Sequence, residues 1–159
     1  MTSTRSRLIA GLGAVAGTAL VAATALAVLP PWQTAEVAVP ADDAEAGAVV
    51  RAYVAALDAH DCATAEALSA PDAVDATARW CGRVAHLDGV DVADAVVEDP
   101  AWSGRPATVE VVMVPVTFDL DWRLGHGDVS MPEGRTVWGY VLVREDPADP
   151  WRIADQGVG

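Results

Sequence analysis

Apolar and polar residues change their spacing twice along this chain, and each change marks a different kind of element. Leu8 to Leu29 is a run of twenty-two residues without a charge, closed by Pro30-Pro31-Trp32. At 1.5 Å rise per residue, a helix of that length spans about 33 Å, against a hydrocarbon core of about 30 Å. From residue 43 the period becomes helical. Ala46, Val50, Tyr53, Val54 and Leu57 recur at spacings of three and four and predict one buried face. Asp42, with Glu45 three residues on, has the capping-box pattern that opens such a helix, which should end near His60. Asp61 is then placed to cap a short second helix carrying Cys62, Ala65 and Leu68. Pro71 breaks the chain, and a third short helix should reach Trp80 or Cys81, before Gly82.

Beyond Gly82 the period is two. Val90 to Val97 is the first strand candidate, and Ala107 to Leu124 a much longer one. In the latter Val112, Val114, Val116, Phe118, Leu120 and Trp122 share a face, with Thr117, Asp119, Asp121 and Arg123 opposite. Val109, Val111 and Met113 make its first half apolar on both faces, which predicts cover from helices there. Pro115 cannot donate to a ladder, so a bulge or an edge is expected at that point. Gly125 to Gly134 is rich in turn residues. Arg135 to Glu145 is the next strand, Asp146 to Pro150 a turn, and Trp151 to Val158 the last strand. Helices first and antiparallel strands afterwards describe an α+β domain. The expected architecture is an N-terminal transmembrane helix followed by three helices packed on a curved antiparallel sheet of about four strands.

Charge gives the apolar run a direction. Arg5 and Arg7 precede it and no basic residue follows until Arg51, so residues 1–7 should stay in the cytoplasm. Residues 8–29 then form a signal anchor, 30–42 a linker, and 43–159 an extracytoplasmic domain. The alternative is a cleaved signal peptide, because Ala25-Leu26-Ala27 has the small-x-small form of a cleavage site and cutting near Ala27 would release the domain. The run exceeds the 7–15 apolar residues usual for such peptides. Either reading exports the domain. All ten basic residues are arginines; without Arg5 and Arg7, eight face twenty-three acids, a balance of −15. That excludes nucleic acid and anionic lipid headgroups as natural partners of the domain, since both require positive charge. Cys62 and Cys81 are the whole thiol inventory, and two cysteines in an exported domain predict a disulfide.

Val49-Val50-Arg51-Ala52-Tyr53-Val54-Ala55-Ala56-Leu57-Asp58-Ala59-His60-Asp61, with this order of elements, resembles the nuclear transport factor 2-like superfamily. Its members include ketosteroid isomerase, SnoaL-type cyclases and many binding modules. Trp151-Arg152-Ile153-Ala154-Asp155-Gln156-Gly157 is similar to the last strand of such domains in exported actinobacterial proteins. The resemblance covers roughly 43–158 and implies a cone-shaped fold, which by itself carries no activity. The helix segment is also similar to the first helix of ketosteroid isomerases, where a tyrosine donates a hydrogen bond to a developing oxyanion; Tyr53 falls on that position. Enolisation also needs a carboxylate base. The same correspondence puts Thr77 there, with Asp75 nearby on a predicted helix, and no second acid can be placed. The simpler reading, and the one preferred, makes Tyr53 a core aromatic on the inner helix face.

The remaining chemistry is sparse. His60, His86 and His126 stand apart from carboxylates and thiols at ligand spacing, so no metal and no cofactor is expected. His86 is a candidate for a pocket mouth, His60 for a helix end and His126 for a turn. Asp119 and Asp121 alternate on one strand face as solvated acids would. Ser69, Ser103 and Ser130 lie in no nucleophile motif. Of six tryptophans, Trp32 marks a membrane interface, while Trp122, Trp138 and Trp151 point into the core or into a conical cavity. The candidate pocket set is therefore Tyr53, His86, Trp122 and Trp138.

One span plus one domain of this fold resembles subunits of bacterial conjugation and type IV secretion machines. The resemblance implies a non-catalytic, membrane-tethered assembly module with a protein partner or a second copy of itself. The alternative is a pocket protein for a small apolar ligand, and behind it an isomerase- or dehydratase-like enzyme.

Overall fold

The computed structural model describes residues 32–125 and 131–157, which belong to one compact unit, Pro31–Gly159. The expected anchor at 8–29, the cleavage site near Ala27, His126 and Ser130 lie outside the described residues. Among the described residues no helix is long and apolar enough to cross a membrane.

Among the described residues three helices precede the sheet: α1, Ala46–Asp58; α2, Cys62–Ala67; and α3, Val74–Arg83. The periodic face of α1 is buried as expected, from Ala46 through Val50, Tyr53 and Val54 to Leu57, and Val49 and Ala56 widen it. Its start corrects the capping-box expectation. Glu45, not Asp42, occupies the N-cap, and its side chain makes no capping bond. Asp42 is held in the preceding turn, where Ala44 N–H donates to Ala41 C=O at 2.9 Å.

The end of α1 is a Schellman motif. Asp61 N–H reaches back to Ala56 C=O at 2.8 Å and His60 N–H to Leu57 C=O at 3.1 Å, with His60 at φ 54° in the left-handed position. Asp61 then caps α2 through Thr64 N–H, as its place in the sequence predicts. The segment read as a linker is bonded to this corner. Thr34 N–H donates to Ala59 C=O at 2.8 Å, and Val37 N–H donates to the Asp61 carboxylate at 3.0 Å.

Helix α3 runs through Gly82 to Arg83 and passes directly into β1, Val84–Val92. A glycine stops a helix by taking positive φ, and Gly82 is not among the glycines that do. The first strand thus begins six residues before the expected Val90. The alternation is unreadable there because pairing slips at Val84/His86 and at Asp88/Asp91, where Gly89 has φ 58°. After a break come the short β2, Val96–Val97, then β3, Glu110–Trp122; β4, Gly134–Arg144; and β5, Arg152–Gly157. The result is a curved antiparallel sheet of five strands, one more than expected, in the order β1-β3-β4-β5, with β2 also on β3.

Pro115 corrects another expectation: β3 is a central strand, and Pro115 faces Gly139 of β4 with no break in register. Its carbonyl accepts from Ala93 N–H at 2.9 Å on the opposite side, within the gap between β1 and β2. A strand residue directs its N–H and C=O to the same side, so the donor that proline lacks falls at that gap. The irregularity lies in the neighbouring strand instead. On the outer free edge, β5 is partly covered: Ala70 N–H donates to Ile153 C=O at 2.7 Å and Ile153 N–H to Leu68 C=O at 2.9 Å. This segment, not a helix, supplies the cover expected over Val111, which packs with Ala70 and Val143.

The main core lies between α1 and the inward face of β3 and β4, where Val114, Val116, Phe118, Leu120, Tyr140 and Leu142 are fully or almost fully buried. Cys62 and Cys81 form a disulfide with Cα atoms 5.7 Å apart, joining the start of α2 to the last turn of α3.

Candidate functional site

Among the described residues the interior holds few polar side chains: Asp61, Ser69 and Thr77 are the buried polar residues outside the aromatics. Asp61 belongs to the helix corner. Ser69 and Thr77 meet Tyr53 of α1 in a chain of hydrogen bonds. Tyr53 Oη and Thr77 Oγ1 are 3.0 Å apart, and Thr77 Oγ1 and Ser69 Oγ 2.8 Å. Ser69 Oγ donates to Ala65 C=O at 3.0 Å. A carbonyl only accepts and each hydroxyl carries one hydrogen, so the chain has a single direction. Tyr53 donates to Thr77, Thr77 to Ser69, and Ser69 to Ala65. The tyrosine hydrogen is thus engaged, and its acceptor is a hydroxyl that cannot act as a base near neutral pH.

Burial pushes the Tyr53 phenol up to about 12, against a smaller lowering by its hydrogen bond with Thr77. Tyr140 lies edge-on to Tyr53, ring centres 5.4 Å apart, and burial followed by repulsion from Tyr53 holds its phenol well above the ordinary range. No carboxylate joins them among the described residues. Asp75 is exposed on the first turn of α3. Asp61 is held below the usual carboxylate range, chiefly by the Val37 N–H and then by Thr64, against the opposing effect of burial.

Beside this chain three tryptophans pack together. Trp80, at the end of α3, lies 5.3 Å from Trp122 of β3 and 5.7 Å from Trp138 of β4, ring centre to ring centre. Trp122 Nε1–H donates to Met131 C=O at 3.0 Å. Trp138 Nε1–H and the Tyr140 hydroxyl are buried and have no partner among the described residues.

Of the four expected pocket residues the structure brings Tyr53, Trp122 and Trp138 into one cluster. His86 is elsewhere: its side chain is 67% exposed, with Nδ1 3.4 Å from Asp58 Oδ1. The slip between Val84 and His86 turns Leu87 inward and His86 out. Trp80 is the member that periodicity missed, since a helix-end tryptophan gives no sign of which strand it will meet. Trp151 is buried beneath the Arg144 guanidinium, 4.3 Å above its ring. Asp119 and Asp121 are exposed, Asp119 paired with Arg135 at 3.3 Å. Among the described residues no group of histidine, cysteine and acidic side chains is placed to hold a metal ion.

A family model described as a domain of unknown function (DUF4829) matches residues 105–157, about a third of the chain, which holds β3, β4 and β5. No curated protein and no solved structure matches the chain. The tyrosine–threonine–serine chain lies outside the matched segment.

Proposed function

We propose that this chain is a non-catalytic assembly module, a nuclear transport factor 2-like domain held at the outer side of a cell membrane by residues 8–29. The observation that carries this reading is the directed hydrogen-bond chain. At the position where an isomerase would present a free tyrosine hydroxyl and a carboxylate, Tyr53 donates to Thr77 and the line ends on a backbone carbonyl. Proton abstraction next to a carbonyl has no base there. The disulfide supports export, since such bonds persist in oxidising compartments. The domain works by contact with other proteins of a membrane machine of the conjugation or secretion kind, or with copies of itself.

Two measurements in intact cells test this. A reporter fused at the carboxyl terminus should be active outside the cytosol, and crosslinking should yield discrete adducts larger than the monomer. A cytosolic reporter, or monomer alone after crosslinking, overturns the reading.

A second reading, a pocket for a small, mostly apolar ligand, is favoured by one observation. Trp138 Nε1–H and the Tyr140 hydroxyl are buried donors without acceptors among the described residues, and Trp138 packs at a tilt with Trp80, which also meets Trp122. Each orphaned group costs about 1–3 kcal/mol, which a ligand carbonyl or ether oxygen would recover. A rise in melting temperature with such a ligand, lost in Trp138→Phe, would select this reading.

A further inference from the structure

At the end where β4 turns into β5, beside the segment that carries Ala70, lies an open cleft of about 420 Å³. Its floor is apolar, made by Ala70 and Val143, both buried. Its walls carry Arg105, Arg144 and Arg152. Three of the eight arginines that follow residue 29 line this cleft together with three acids, Asp72, Glu145 and Asp149, so its lining is balanced in a part of the chain that stands at −15.

The three guanidinium groups differ in how they are held. Arg105 is fixed by Asp72 at 2.7 Å. Arg144 is fixed by Glu110 at 2.6 Å and by the Trp151 ring beneath it. Arg152 stands directly across the β4–β5 ladder from Val143, on the same face. Among the described residues its guanidinium makes one hydrogen bond, a long one of 3.4 Å to Trp151 C=O, and no ion pair. Two of the arginines are therefore held in place, and the third, across the ladder from Val143, lines the cleft without an ion pair among the described residues.

We propose that this cleft binds a small monocarboxylate with a short branched apolar chain, the carboxylate on Arg152 and the chain on Val143 and Ala70. A guanidinium fork matches a carboxylate bidentately. Asp72, Glu145 and Asp149 also line the cleft and repel a phosphate dianion more strongly than a monocarboxylate, whose apolar chain has the floor of Ala70 and Val143 to offset the smaller repulsion. This inference does not depend on how the chain is tethered or on what the interior does.

The test is a titration of the full chain in non-ionic detergent with isovalerate, isovaleramide and inorganic phosphate, followed by NMR of the arginine Nε–H groups and the Val143 methyls. Isovalerate should saturate below about 50 mM and move the Arg152 and Val143 signals together, while the amide and phosphate leave them in place. Arg152→Gln should weaken binding about tenfold or more, and Arg152→Lys, which keeps the charge and loses the fork, should fall between. The melting temperatures of both variants establish that they fold. Non-saturable shifts, equal shifts with the amide, a stronger response to phosphate, or unchanged binding in Arg152→Gln would each overturn the proposal.

Discussion

Tyr53 Oη and Thr77 Oγ1 lie 3.0 Å apart in the buried interior, and the tyrosine is the donor of that bond. Its direction follows from Ser69, which can only give its hydrogen to the Ala65 carbonyl and so must accept from Thr77. A tyrosine held this way stabilises the join between α1 and α3.

Tyr53→Phe and Tyr140→Phe should therefore differ. The first removes a hydrogen-bonded hydroxyl and should cost about 1 kcal/mol; the second removes a hydroxyl without a partner among the described residues and should be neutral or stabilising. Thr77→Val, which strands the Tyr53 hydrogen, should cost about 1–3 kcal/mol. Denaturant unfolding of the three variants measures this. Equal losses in the two tyrosine variants would count against the directed chain.

The same burial predicts alkaline sensitivity. The folded Tyr53 phenol, at about 12, lies above its ordinary value of 10.0, and Tyr140 is shifted in the same direction. A group whose folded pKa is raised contributes stability that is complete below the unfolded pKa and is lost as pH rises toward the folded one. Stability should fall between about pH 10 and 12, with unfolding and tyrosinate absorbance appearing together. Two tyrosines that ionise while the fold remains intact would refute this.

At the other end of the scale Asp61 is lowered in the folded state, so the unfolded chain binds the proton more tightly. Its contribution is present above the ordinary carboxylate pKa of 3.8 and is lost as pH falls through the folded value. Asp61→Ala also leaves Val37 N–H and Thr64 N–H without their acceptor, and should cost about 1–2 kcal/mol near neutral pH. The deficit should shrink in acid. A pH-independent deficit would show that the carboxylate charge is not the cause.

Reducing the Cys62–Cys81 disulfide should lower stability by about 3 kcal/mol, the loop-entropy value for a separation of 19 residues. A melting curve with and without reductant tests it. An unchanged midpoint after complete reduction, verified by thiol counting, would rule out a stabilising role.

His60 occupies the left-handed position of the α1 cap at φ 54°, where a side chain strains the backbone. His60→Gly should raise stability by up to about 1 kcal/mol, the relief being partly offset by the greater freedom of glycine in the unfolded chain. A loss instead would mean that the contact of its Nδ1 with Leu57 C=O at 3.2 Å outweighs the strain.

Much of the fold was legible in the order of residues. The apolar stripe of α1 and the alternation of β3 and β4 follow from the periods of 3.6 and 2, which each element carries within itself. The disulfide was legible because only two cysteines exist. β1 was not, since two slips in pairing and the positive φ of Gly89 destroy the period that would have announced it. Of the candidate site, Tyr53, Trp122 and Trp138 were readable from their inward faces. Trp80 was not, and the bulge that turns His86 outward left no mark on composition.

Read alone, the residues determined that helices come first and strands afterwards, which faces of α1, β3 and β4 are apolar, and that two thiols have only each other. Those are properties of neighbours along one strand or one helical turn. Folding alone could decide that the Tyr53 hydrogen ends on Thr77, that Pro115 lies opposite a gap in the next strand, and that three arginines from separate segments border one cleft. Each depends on the register between elements tens of residues apart, set by packing across the whole core and not by any local run of sequence.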